Sequence, residues 1–453
     1  MRRALLLLLV AGCSTSAPRP AGLTAGASKL KITPEKMSWM TGYGNRNKRA
    51  EKVHDELHVR ALALGDGRRK IVLVAADILG FPPVMNRAIR AEAKRRHGLD
   101  DGDLMLVASH THGGPAVPER PSPEIFHGLP EADAKEIYDY AGWLQDRVLE
   151  AISTSLAAME PAELRLSRTT ATFGMNRRLK NPDGSYKIAD NPAGLTDPDV
   201  PVLRATSGAR TIATVFNYAC HCTTLGGIYD YNADWAGPAC AKVEAKAGGV
   251  ALFATGCGAD LNPSPRAPGA FDLAEKHGTA IAEAVAAAPP GTPLSGPFRT
   301  SYGSVDLPLE KAPPRELLEK GLGAKDVYRQ RHSREMLKLL DAGRLPASVA
   351  LPIQAWHLGD VTIAAIGGET CVEYALRLKK EAGVAMVLGY ANEVPCYIPS
   401  EGVLAEGGYE AGWSAEFGRT LAAGSILYYG WPTPFAPGVE DKLMRGLRAL
   451  LKN

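Results

Sequence analysis

Apolar, β-prone residues run from His58 to Leu64 and again from Lys70 to Ala75, and the Gly-Asp-Gly between them predicts a hairpin. A helical pattern from Pro83 to Arg96 and a buried strand from Leu104 to Ser109 follow. Helical spacing of apolar positions continues from Ala132 to Met159. A second hairpin is expected from Val200–Ala205 and Thr211–Ala219, turning at Ser-Gly-Ala. Asp234 reads as the N-cap of a helix reaching Lys246, ahead of a short strand from Val250 to Ala254.

The second half carries an Ala-rich helix, Asp272–Ala287, then strands near Thr300–Leu307 and charged helices from Pro314 to Asp341. Strands Val349–Trp356 and Val361–Ile366, a helix Thr370–Lys380 and a strand Ala385–Leu388 complete the pattern. Strands and helices mix throughout, with no repeat and no linker. That predicts an α/β fold: a single large domain of mixed β-sheets flanked by helices.

The N-terminus is different. Met1-Arg2-Arg3 and the apolar run from Ala4 to Ala11 read as a signal peptide, too short to span a bilayer. Leu9-Val10-Ala11-Gly12-Cys13 resembles a bacterial lipobox. This divides the chain into a signal peptide (1–12), a lipid-anchored tether (13–28) with Cys13 as the lipidation site, and a folded domain (29–453). The expected place is outside the cytoplasm on a bacterial membrane. Ser14 is no aspartate-type retention signal, which points to the outer membrane. A formal charge of +3 offers no basic face for a phosphate backbone, so nucleic acid is not an expected partner.

Chemistry concentrates at strand ends. Ser109-His110-Thr111-His112-Gly113-Gly114-Pro115 places two histidines two apart, on one face if the strand continues. His221 lies in Cys220-His221-Cys222 after another apolar strand. There the pleat would set both cysteines opposite the histidine, so the six cysteines beyond Cys13 read as small buried residues or one disulfide. Gly367-Gly368-Glu369 leads from a strand into a helix, whose macrodipole would favour an ionised carboxylate. Gly389-Tyr390-Ala391-Asn392-Glu393, continuing to Tyr397 and Tyr409, is the fourth concentration. Two histidines and a glutamate make a three-ligand zinc set with an open position.

In order and wording these motifs resemble the neutral, non-lysosomal ceramidases, zinc amidases that cleave N-acylsphingosine. The resemblance runs from Ile32-Thr33-Pro34 and Met40-Thr41-Gly42-Tyr43 through His54-Asp55 and Ala75-Ala76-Asp77 to the His110 run. It continues through Asn176-Arg177, the His221 segment, Gly256–Pro263, Gly368-Glu369-Thr370 and the two tyrosines. It implies one zinc per chain, held by His110, His221, Glu369 and Tyr397. His112 would stand beside the scissile carbonyl, with Arg177 and Tyr409 lining the substrate site; on mechanistic grounds Tyr409 or Arg177 is then expected to hydrogen-bond the carbonyl oxygen. Apart from the resemblance, Asp77, Asp234 and Asp260 are candidates for orienting the ligand histidines, although a helix cap is the first reading of Asp234. His54 lies inside the matched segment, with ordinary packing as its first reading and a place near the site as the second.

Asn262 stands where the family carries a serine assigned as nucleophile or substrate contact, and Ser264 is a poor substitute. The family's C-terminal immunoglobulin-like domain is not expected here. The expected activity is zinc-dependent hydrolysis of the ceramide amide, or of a closely related N-acyl lipid. The alternative is a zinc hydrolase of the same fold acting on a different amide or ester.

Overall fold

The computed structural model describes residues 22–117 and 128–452. Within them the first expected hairpin forms, His58–Gly65 pairing antiparallel with Lys70–Ala76. Both strands are buried along nearly their whole length. Cover on both faces is why they read as continuous apolar runs rather than alternating ones. Thr24–Lys31 joins the hairpin antiparallel on one side; Leu104–Ala108 joins it in parallel on the other, reached through the helix Pro83–His97.

The same order recurs twice. The hairpin Asp199–Ser207/Arg210–Tyr218 is followed by the helix Ala236–Ala247 and the parallel strand Val250–Thr255. The hairpin Ser348–Leu358/Val361–Ile366 is followed by the helix Val372–Ala382 and the parallel strand Met386–Leu388. A returning strand can lie parallel only after a crossover, and these helices supply it. Each sheet thus ends two neighbouring parallel strands on one edge.

Leu64 and Met105 of the first sheet, Val215 and Leu252 of the second, and Trp356 and Leu388 of the third share one buried core. This common core makes the described residues one α/β unit of mixed sheets flanked by helices, as the pattern predicts.

Three boundaries move. Residues 24–28, assigned to the tether, are already strand, because the hairpin edge at 58–65 supplies their hydrogen bonds. The helix expected from Asp234 begins at Ala236, and the one expected from Thr370 begins at Val372. The leader and Cys13 lie outside the described residues. No described helix is long and apolar enough to cross a membrane.

Candidate metal centre

The expected ligands all leave the C-terminal ends of these parallel strands. In open α/β sheets, such ends are where ligands bind. The strand Leu104–Ala108 stops two residues before His110, whose φ of +57° is left-handed. Continued pleating, the basis for expecting both histidines on one face, is therefore not what unites them. The kink folds the chain back and sets the Nε2 atoms of His110 and His112 3.2 Å apart. Left-handed backbone at a residue with a Cβ costs about 1–2 kcal/mol, and Asp234 and Tyr390 share it. Such strain collects where a site needs it.

His221 follows the strand Arg210–Tyr218. Glu369 follows Val361–Ile366, in a two-residue parallel pairing with Tyr397 and Ile398. It is not in a helix first turn, so the chain neighbours and this pairing place it, rather than a macrodipole. Cross-links between loops hold the set together: Ala108 N–H donates to Tyr390 O (3.3 Å), His112 N–H to Cys222 O (3.3 Å) and Gly389 N–H to Thr255 O (3.1 Å).

Glu369 Oε2 lies 3.1 Å from His110 Nε2 and 3.1 Å from His221 Nε2. The other ring nitrogens explain the polarity. His110 Nδ1 donates to Leu79 O (2.7 Å) and His221 Nδ1 to Gly258 O (2.6 Å). Carbonyls only accept, so both Nδ1 atoms carry the proton and, in neutral imidazoles, both Nε2 atoms present lone pairs. Burial, helped by the charge of Arg177, pushes His221 down to about 4, which keeps it neutral.

Two nitrogen lone pairs and a carboxylate oxygen thus converge with no proton to separate them. Donors about 2.0–2.1 Å from a tetrahedral zinc lie ~3.3 Å from one another. The residues fit that ion. Tyr397 Oη, 3.3 Å from His221 Nε2, completes the expected four.

His110, His112 and His221 are also grouped closely enough to hold a metal by themselves. Ring environment separates them. A ligand histidine nearly always donates its second N–H to a fixed acceptor. His110 and His221 do so, whereas His112 Nδ1 is buried without a partner. His112 packs edge-on against Tyr43, with ring centroids 4.8 Å apart. Gly42 makes room for it: φ there is +94°, and a Cβ would come 2.6 Å from His112 Nδ1. Gly42→Ala should therefore displace the His112 ring and reduce turnover about 10²-fold, the scale of a 1 Å misplacement. Metal content measured beside the rate should stay at the wild-type level.

The sequence of residues 24–260 matches the N-terminal domain model of the neutral/alkaline non-lysosomal ceramidases, slightly more than half of the chain. The chain belongs to this family. No curated protein matches the sequence. Among solved structures it resembles the neutral ceramidase from Pseudomonas aeruginosa, with TM-score 0.67 and 19% identity over 91% of this chain and 73% of that one. A structure described as ceramidase complexed with C2 gives TM-score 0.68 and 18% identity over the same shares. At such identities the likeness is one of fold. The family is one of hydrolases, and neutral ceramidases are in general zinc enzymes. The matched span holds His110, His112, Arg177 and His221, while Asn262, Glu369, Tyr397 and Tyr409 lie beyond it.

In this ceramidase-family member Arg177 is a structural hub. Its Nε donates to Glu410 (2.8 Å), one terminal nitrogen to Tyr397 Oη (3.0 Å) and the other to Asn262 Oδ1 (3.2 Å). Three of its five N–H donors, one on each nitrogen, are thus directed to the chain itself. Tyr409 sets its ring against Tyr397 (5.4 Å) and beneath the Arg177 guanidinium (5.7 Å).

None of the three aspartates is hydrogen-bonded to His110 or His221. Asp77 binds the buried Arg60 (2.8 Å) and the His58 N–H (2.9 Å). Asp234 accepts from the N–H groups of Thr224, Leu225 and Trp235, which pins the turn after His221 rather than capping a helix. Asp260 accepts from Val372 N–H (2.9 Å), and burial beside Glu373 pushes it up to about 8. Backbone carbonyls already occupy the two Nδ1 positions, leaving the carboxylates no role there.

His54 stacks on Phe271 and is paired with Asp55. Ser264 binds Asp190. All six described cysteines are buried and free. Sequence reasoning missed Tyr429, whose hydroxyl donates to Glu369 Oε1 (2.6 Å), and Glu410, which holds Arg177 and Arg178. Glu410 adjoins Tyr409 in sequence, which was the available signal; Tyr429 carries none.

Proposed function

We propose that the protein is a zinc-dependent amidohydrolase that cleaves the amide of N-acylsphingosine, or of a closely related N-acyl lipid, to a fatty acid and an amine. The convergence of His110 Nε2, His221 Nε2 and Glu369 Oε2 carries this reading. His110, His221, Glu369 and Tyr397 would hold the ion, and Tyr429 would orient the carboxylate. Zinc in such a set polarises a carbonyl and lowers the pKa of water towards neutrality.

The remaining work falls to the chain. His112, beside the ligands but with Nδ1 uncommitted, is placed to give a proton to the leaving amine. Tyr409 borders the same space and orients substrate. Arg177 keeps Tyr397 in position, and the paired carboxylate of Glu410 balances its buried charge.

Export on a lipid anchor at Cys13, leaving the catalytic domain at a membrane surface, would bring such an enzyme to a lipid substrate. A hydrolase of the same fold for a different amide or ester is the second reading. Asn262 favours it, because a carboxamide replaces a hydroxyl at a site position.

Fatty-acid release from N-acylsphingosine by the soluble chain beginning after Cys13 tests the proposal. Chelator should abolish release and added zinc should restore it. No release from protein holding one zinc per chain would shift the substrate to another amide or ester.

A further inference from the structure

Asn262 is 1% exposed, and its side-chain oxygen accepts two hydrogen bonds, from Arg177 (3.2 Å) and from Thr223 Oγ1 (3.1 Å). A guanidinium has donors only, so the end of the amide facing it must be the oxygen. The identity of the other end follows. Nδ2 is a buried donor, and it has no hydrogen-bond partner. A donor left so costs about 1–3 kcal/mol, and native proteins keep few of them without a use. An NH2 group cannot ligate a cation through these protons, so its partner must be an acceptor.

The position of that acceptor is constrained from both sides. The Arg177 nitrogen that holds Asn262 lies 3.5 Å from His221 Nε2, and Thr223 is two residues from His221. Asn262 itself sits in the strand Leu261–Pro263, paired with Gly174–Asn176, and His221 N–H donates to Leu261 O (3.1 Å). The amide is therefore a rigid, oriented donor on the frame of the metal centre. An N–H on each nitrogen of Arg177 is committed to the chain, and Asn262 Nδ2, which has no partner, is a donor available for a bound oxygen.

We propose that Asn262 Nδ2 donates a hydrogen bond to the acyl carbonyl oxygen of the substrate, making Asn262 a catalytic residue rather than a support for Arg177. The inference rests on the hydrolase reading above. It also defines the ligand class: the position takes a hydrogen-bond acceptor and rejects a donor.

Two near-isosteric variants separate the roles. Asn262→Asp keeps an oxygen for Arg177 and Thr223 but replaces the donor; Asn262→Leu removes both without adding charge. Each holoenzyme is assayed for kcat and KM on the N-acyl amide or ester that the wild type cleaves, with zinc content and thermal unfolding measured alongside. Both should lose about 10²-fold in kcat, the scale for one oxyanion donor, with smaller change in KM and zinc retained. Asn262→Asp turning over near the wild-type rate while Asn262→Leu is impaired would overturn the proposal, since the oxygen alone would then matter. Wild-type rates in both variants, or loss of zinc from both, would overturn it equally. Failure of the wild type itself on amides and esters would instead remove the hydrolase reading, and this inference with it.

Discussion

His112→Ala should reduce turnover by about 10²- to 10⁴-fold, the range for removing a positioned general acid or base, while the protein still binds one zinc. The two halves of this expectation have separate physical origins. Metal retention follows from the rings of His110 and His221, each locked by an Nδ1–H bond to a backbone carbonyl that does not involve His112. Loss of rate follows from the place of His112, with Nε2 3.2 Å from His110 Nε2 and Nδ1 unclaimed. Metal analysis of the purified variant, with steady-state kinetics on the same preparation, decides the matter. Zinc lost along with activity would make His112 a ligand of the three-histidine group.

Glu369→Gln should weaken zinc binding by at least about 10²-fold, since disturbing even an outer partner of a ligand costs 10–100-fold. The substitution keeps shape and removes charge. Without the carboxylate, no ionised group remains among the three groups drawn together by the 3.1 Å contacts, and the new amide can turn N–H donors towards the histidine lone pairs. The check is thermal unfolding against added zinc. Zinc at 100 times its Kd stabilises a folded state by about 2.7 kcal/mol, so the wild-type midpoint should rise where that of the variant does not. An equal rise in both would place the metal elsewhere.

The pattern of apolar runs was enough for two of the three hairpins, for the strands of the third, for the helices that follow them and for the mixed α/β class. Strands buried on both faces leave long β-branched stretches, and helices leave a 3.6-residue period. His110, His221 and Glu369 stood out because each follows an apolar strand, and the resemblance to the ceramidases then named them as ligands. Their partners were less legible. The sequence invites Asp77, Asp234 and Asp260 as supports for the histidines, but Leu79 and Gly258 fill that place with carbonyls, and every residue has a carbonyl. Likewise the HxH spacing suggested a continued strand, whereas the left-handed backbone at His110 supplies the approach.

By itself, then, the sequence determined which residue types stand at the strand ends and, through motif order, the family. Only the tertiary structure decided which of them meet. His110, His221 and Glu369 lie more than a hundred residues apart in succession and come from three different sheets. Their convergence depends on those sheets sharing one core and presenting their C-terminal edges to the same place. The protonation of each imidazole, the commitment of Arg177 and the unmet donor of Asn262 belong to the same level. Each is set by what lies across a hydrogen bond from a chain segment far away in sequence, and no local pattern encodes that neighbour.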